Sequence, residues 1–172
     1  MKTPIRFIVI DDDEINNLYC KIIIKHAVAE SDIQIFNIPE KGFEYITKEY
    51  SNSENPTVLF LDINMPTWSG WEFLDNFEKL DKNIKKQIKI YMLSSSVDPS
   101  DRQQAEDNKY VAGYIEKPLS ELNVLSILEQ QRVGLTNNSN LPGEVNEVHT
   151  EGSCYQIHDF THTSDKTSQL IL

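Results

Sequence analysis

Four short stretches of this chain end in side chains suited to phosphoryl chemistry. Asp11, Asp12, Asp13 and Glu14 follow the apolar run from Ile5 to Ile10, and Asp62 and Asn64 follow the run from Thr57 to Leu61. Ser94, Ser95 and Ser96 close the run from Ile88 to Leu93, and Lys117-Pro118 comes just after the run from Val111 to Ile115. A carboxylate is a phosphoryl acceptor through an aspartyl-phosphate intermediate. Such transfer needs positioning and charge neutralisation more than elaborate covalent machinery. Lys117 suits the neutralisation of a phosphoryl oxygen, and the Ser94 hydroxyl suits a hydrogen bond to another. Bringing Asp11, Asp12 and Asp62 together carries a cost, because two carboxylates 4–5 Å apart repel by roughly 3–4 kcal/mol at an effective dielectric of 20. A divalent cation removes it. An all-oxygen donor set points to Mg²⁺, and the absence of His and Cys from these stretches argues against zinc.

The elements between these stretches are what must bring them to one place. Ile5–Ile10, Ile33–Ile38, Thr57–Leu61, Ile88–Leu93 and Val111–Ile115 read as strands. Thr57–Leu61 lacks polar alternation, as a strand buried on both faces does. Helices are expected from Glu14 to about Ala29, with Ile15, Leu18, Ile22 and Ala29 near helical spacing, and from about Pro39 to Tyr50. Two more follow, from about Gly70 to Leu80 and from Pro99, with Asp98 as its cap. Ser120 caps a last helix through Leu122, Leu125 and Leu128. Five βα units imply an α/β fold with a parallel sheet covered on both faces. In such sheets ligands sit outside the carboxyl ends of the strands, which is where all four stretches lie.

The segments Phe7–Glu14, Leu59–Pro66, Leu93–Ser96 and Lys117-Pro118 together resemble the receiver domain of two-component response regulators. The similarity covers about residues 4–130, and its strength lies in four motifs in the right order, each closing its own strand. It implies a flavodoxin-like (βα)5 doubly wound fold with strand order 2-1-3-4-5. It implies Asp62 as phospho-acceptor and as a member of the Mg²⁺ site; Asp12 as a direct Mg²⁺ ligand; Asp11 as a ligand directly or through waters; and Asn64 as a ligand through its carbonyl. It further implies that Lys117 pairs with the phosphoryl group, that Ser94 turns toward it and that Tyr114 is the aromatic switch. The peptide bond before Pro118 is expected to be cis. Such a domain is a switch that catalyses only its own phosphorylation and dephosphorylation. Its donor is a histidine kinase or histidine phosphotransfer protein, and its output goes to a downstream protein target. Two positions depart from the common pattern or vary widely: Ser95, where a smaller residue is usual, and the Trp68/Trp71 turn.

Plainer roles suit several neighbours. Asp13 and Glu14 are acids favoured at a helix start, Cys20 is a small helix-face residue, and mid-helix His26 is structural rather than a donor. The chain has 172 residues, with 16 Lys and Arg against 27 Asp and Glu for a net charge of −11. That balance disfavours nucleic-acid binding. With two cysteines and no long apolar run, a cytoplasmic protein without membrane insertion is expected. The domain is expected over 1–132, followed by a polar tail over 133–172 without fixed structure. His149, Cys154, His158 and His162 in that tail are a weak zinc set, and Leu170-Ile171-Leu172 is a weak docking segment. Two other functions compete. A phosphatase of the haloacid dehalogenase type would use Asp11 but leaves Asp62 unexplained, and a binding module indifferent to phosphate leaves the intact Asp12, Asp62, Ser94 and Lys117 unexplained.

Overall fold

Side-chain alternation along the central strands sets the architecture. The computed structural model describes residues 5–50, 56–96 and 98–136. In chain order these form β1 (Arg6–Ile10), α1 (Glu14–Ala27), β2 (Asp32–Phe36), α2 (Pro39–Glu49), β3 (Thr57–Asp62) and α3 (Gly70–Phe77). There follow α4 (Lys82–Gln87), β4 (Ile88–Ser94), α5 (Pro99–Asp107), β5 (Val111–Glu116) and α6 (Glu121–Thr136). Successive strand residues point to opposite faces. Ile8, Ile10, Leu59 and Leu61 therefore enter one core with Ile46, Phe73 and Phe77 of α2 and α3. Phe7, Val9, Val58 and Phe60 enter a second core with Cys20 and Ile24 of α1 and Val124 and Ile127 of α6. Each such apolar side chain stabilises the fold by about 1.5–3 kcal/mol when fully buried.

The strands pair in the order β2-β1-β3-β4-β5, all parallel. This is the expected doubly wound sheet. Order reverses between β1 and β3, so their carboxyl ends open a crevice there. Register places Ile10 opposite Leu61 and Asp62 opposite Leu93. Asp11, Asp62 and Ser94 therefore finish neighbouring strands at nearly one level.

Helix starts follow their capping residues. The Asp13 carboxylate accepts from Ile15 N at 2.8 Å, and Asp98 accepts from Ser100 N at 2.9 Å, with Pro99 opening α5. Ser69 and Glu72 form a reciprocal capping box at α3. Ser120 Oγ accepts from Asn123 N at 3.2 Å at the start of α6.

Several expectations are corrected. The helix expected over 70–80 ends at Phe77, and a further short helix, α4, precedes β4; Asp81 caps it by accepting from Asn83 N at 2.7 Å. Ile15, Leu18 and Ile22 form the outer face of α1, which buries Asn17, Cys20 and Ile24 instead. Leu122 and Leu125 are likewise exposed, while Val124 and Ile127 are buried. Both helices carry apolar residues on two faces, so periodicity alone does not select the inner one. His26 is exposed, and its Nδ1 lies 2.9 Å from a Glu121 carboxylate oxygen, joining α1 to α6. Among the described residues no helix is long and apolar enough to cross a membrane. The last helix runs on to Thr136, so residues 133–136 of the expected tail are helical, and the other tail readings, including His149, Cys154, His158, His162 and Leu170-Ile171-Leu172, lie outside the described residues.

Candidate functional site

Asp11, the first residue past β1, is fully buried, and each of its polar atoms has a role. Oδ1 accepts from Asp13 N at 2.9 Å; Oδ2 accepts from the Asn16 side-chain amide and lies 2.7 Å from Lys117 Nζ. Its backbone carbonyl accepts from Asn17 Nδ2 at 2.6 Å. Asp62 ends β3, only 4 % exposed, and its Oδ1 lies 2.8 Å from the same Lys117 Nζ. One ammonium thus bridges carboxylates from two different strands. Asp12 is exposed at the rim, and carboxylate oxygens of Asp11, Asp12 and Asp62 lie within 4.8 Å of one another.

The electrostatics follow from this packing. Burial raises the Asp62 carboxyl above its ordinary value; the Lys117 hydrogen bond opposes that shift and the Asp11 charge adds to it. Burial works to lower Lys117, but hydrogen bonds and charges from Asp11 and Asp62 outweigh it and hold the ammonium above its ordinary value. Three carboxylates against one ammonium leave a charge of about −2 when all are ionised, which a divalent cation would balance. The donors are all oxygens, so the residues fit Mg²⁺.

Backbone contacts hold the rim in place. Lys117 N donates to Ser94 O at 2.8 Å, tying the end of β5 to the end of β4, and the Lys117–Pro118 peptide is cis. Ser94 is fully buried, with its Oγ accepting from Ser96 N at 2.9 Å. Tyr114, half-buried on β5, donates from its hydroxyl to Ser96 O at 3.1 Å, and the Arg102 guanidinium lies 5.1 Å from its ring centre. Asn64 and Ser95 are exposed in the loops after β3 and β4. Gly70 opens α3 against the back of the site, where a Cβ would meet Asp62 O at 2.5 Å and Ile63 Cα at 3.0 Å. Backbone atoms cannot yield to it, so this position requires glycine.

Asp11, Asp12, Asp62 and Lys117 are therefore brought together as the sequence reading expects. Ser94 stands at the adjacent strand end, with Tyr114 linked to it through Ser96. Sequence reasoning missed Asn16 and Asn17, the amides that fix Asp11. Their only signal was two adjacent amides in the first turn after the Asp triplet.

A five-stranded parallel sheet in this order, with acids and a lysine at its carboxyl edge, places the chain in the flavodoxin-like fold class. The response regulator receiver domain model matches residues 7–129. The chain belongs to that family. A two component response regulator from Cytophaga hutchinsonii is 30% identical, with a TM-score of 0.69 over 77% of this chain and 99% of that one. A response regulator receiver protein from Dyadobacter fermentans is 25% identical, with a TM-score of 0.67 over 73% of this chain and 96% of that one. The chemotaxis response regulator CheY4 of Vibrio cholerae, at 19% identity and a TM-score of 0.57 over 74% of this chain and 98% of that one, shares the fold. No curated protein sequence matches the chain. Membership in the receiver family sets aside the haloacid dehalogenase reading.

Proposed function

We propose that Asp62 takes a phosphoryl group from a phospho-histidine on a histidine kinase or histidine phosphotransfer protein, and that the modified domain signals to a downstream protein in the cytoplasm. The observation that carries this is the Lys117 ammonium bridging Asp11 and Asp62 at 2.7 and 2.8 Å. A carboxylate oxygen of Asp62 attacks phosphorus, the P–N bond breaks, and the departing imidazole takes the electron pair and then a proton from water. Lys117 turns from its carboxylate partners to the incoming phosphoryl oxygens, which carry the same sign of charge. Asp11, Asp12, Asp62 and the carbonyl of Asn64 would hold Mg²⁺. When bound, that ion supplies positive charge to the transferring group.

Ser96 is where the chemistry becomes a conformational change. Its N–H is held by Ser94 Oγ and its carbonyl by the Tyr114 hydroxyl. A Ser94 hydroxyl drawn to a phosphoryl group on Asp62 gives up Ser96 N, and the Tyr114 bond to the same residue is disturbed with it. The switch would thus pass from the end of β4 to the face of β5.

The donor's seat adjoins the site. Every exposed large hydrophobic among the described residues is on α1 or α6: Ile15, Leu18, Tyr19, Ile22, Leu122 and Leu125. Such a concentration marks a protein-interaction surface. It begins in the first turn of α1, directly after the Asp11–Asp13 rim, where a phospho-histidine must be delivered.

Incubation with acetyl phosphate and Mg²⁺, followed by intact-mass measurement, tests the proposal. One added phosphoryl group, lost in Asp62→Asn, is the expected result. An unmodified wild-type chain would contradict it. Ile15→Glu with Leu18→Glu should slow transfer from a protein donor while leaving acetyl phosphate labelling unchanged.

A further inference from the structure

The chain is strongly acidic, yet four of its lysines gather at the end of the sheet opposite Asp62. Lys85 and Lys86 come from α4, Lys89 from β4 and Lys109 from the turn before β5; with Phe77 and Val111 they line a groove of about 380 Å³. Strand direction places it at the amino ends of β4 and β5, whereas Ser94 and Lys117 stand at their carboxyl ends. Glu78 answers part of this charge. Its carboxylate lies 2.7 Å from Lys109 Nζ, and its carbonyl accepts from Lys85 Nζ at 2.6 Å. Both ammonium groups also face the Tyr110 ring, at 4.9 Å for Lys109 and 5.4 Å for Lys85. Lys86 and Lys89 are exposed and have no acidic partner at ion-pair distance among the described residues.

The chain itself supplies an anion near this groove. Gln130, in the second half of α6, lines it, and α6 runs on to Thr136. Residues 131–172 contain two basic and five acidic side chains. Within them Glu144, Glu147 and Glu151 alternate with Val145 and Val148. The eight residues from Thr136 to Glu144 can span up to about 28 Å, more than enough to return to a groove beside α6.

We propose that this lysine groove is the docking site for the acidic segment 144–151 of the chain's own C-terminal extension. Its glutamates would meet Lys86 and Lys89, and its valines would cover the half-buried Tyr110 and Val111. Surface ion pairs are individually weak, at about 0–1 kcal/mol. A short tether offsets this by holding the segment at an effective concentration of about millimolar. The added helix α4, which supplies Lys85 and Lys86, then has a function that the phosphorylation site does not give it.

Zero-length carbodiimide coupling of the full chain, followed by peptide mapping of the monomer, tests this. Glu144, Glu147 or Glu151 should couple to Lys86 or Lys89 at least about tenfold more than to the exposed Lys21 and Lys41, given the segment's local concentration. Raising the salt to about 0.5 M should cut that yield about fivefold by screening, and Val145→Ser with Val148→Ser should also lower it. The Glu78–Lys109 coupling serves as an internal control. Equal coupling to Lys21 and Lys41, coupling only between two copies of the chain, or no coupling to Lys86 and Lys89 would each overturn the proposal.

Discussion

Replacing Lys117 with methionine removes one charge while keeping most of the side chain's length. Asp11 and Asp62, fully buried and 4 % exposed, would then face each other without a counter-charge. With carboxylate oxygens within 4.8 Å, their mutual repulsion is about 3 kcal/mol at an effective dielectric of 20. That agrees with the roughly 3–5 kcal/mol observed when one partner of a buried ion pair is removed. Urea denaturation of wild type, Lys117→Met, Asp62→Asn and the double variant, without divalent cations, would measure it. Lys117→Met should lose about 3 kcal/mol, and adding Asp62→Asn should restore at least about half, because the repulsion needs both carboxylates. Adding Mg²⁺ should narrow the gap between wild type and Lys117→Met. A single variant within about 0.5 kcal/mol of wild type, the value for an ordinary surface change, would refute the reasoning. So would a double variant no more stable than the single.

Two further outcomes follow from the packing. Gly70→Ala should cost about 1–3 kcal/mol, the range for overpacking a tight site, and slow Asp62 labelling by displacing the β3 end; calorimetry and acetyl phosphate labelling would check both. Burial pushes the Cys20 thiol from 9.0 up to about 12, with the Asp11 charge adding to it. The raised value favours the neutral thiol in the fold, so its stabilising effect is complete below about pH 9 and declines as pH rises toward 12. Alkylation of Cys20 at mildly alkaline pH, followed by peptide mapping, should be far slower in the native chain than in urea.

Much of this site was legible because parallel βα topology turns positions in sequence into positions in space. Asp11, Asp62, Ser94 and Lys117 each sit just past or at the end of a strand, and equal strand levels bring them together. What stayed hidden depends on rotation and on local competition. Ile15, Leu18 and Ile22 recur with helical spacing, but so do Cys20 and Ile24, and only packing against β1 and α6 decides which set is inside. The short α4 was hidden because five of its six residues are polar and the lone apolar Ile84 sets no period, although Asp81 was a readable cap. Asn16 and Asn17 carry no motif, since an amide becomes a positioning group only once a carboxylate lies beside it. The lysine groove draws on α4, β4 and the turn before β5, so no linear stretch announces it.

The most direct test of the central assignment is where the phosphoryl group lands. Treatment with acetyl phosphate and Mg²⁺, reductive trapping of the acyl phosphate with borohydride, and peptide sequencing would locate it. Conversion of Asp62 to homoserine, absent when Mg²⁺ is chelated, is the result this account predicts. Trapped product at Asp11 or Asp12, or equal labelling at Asp62 with the metal removed, would contradict it.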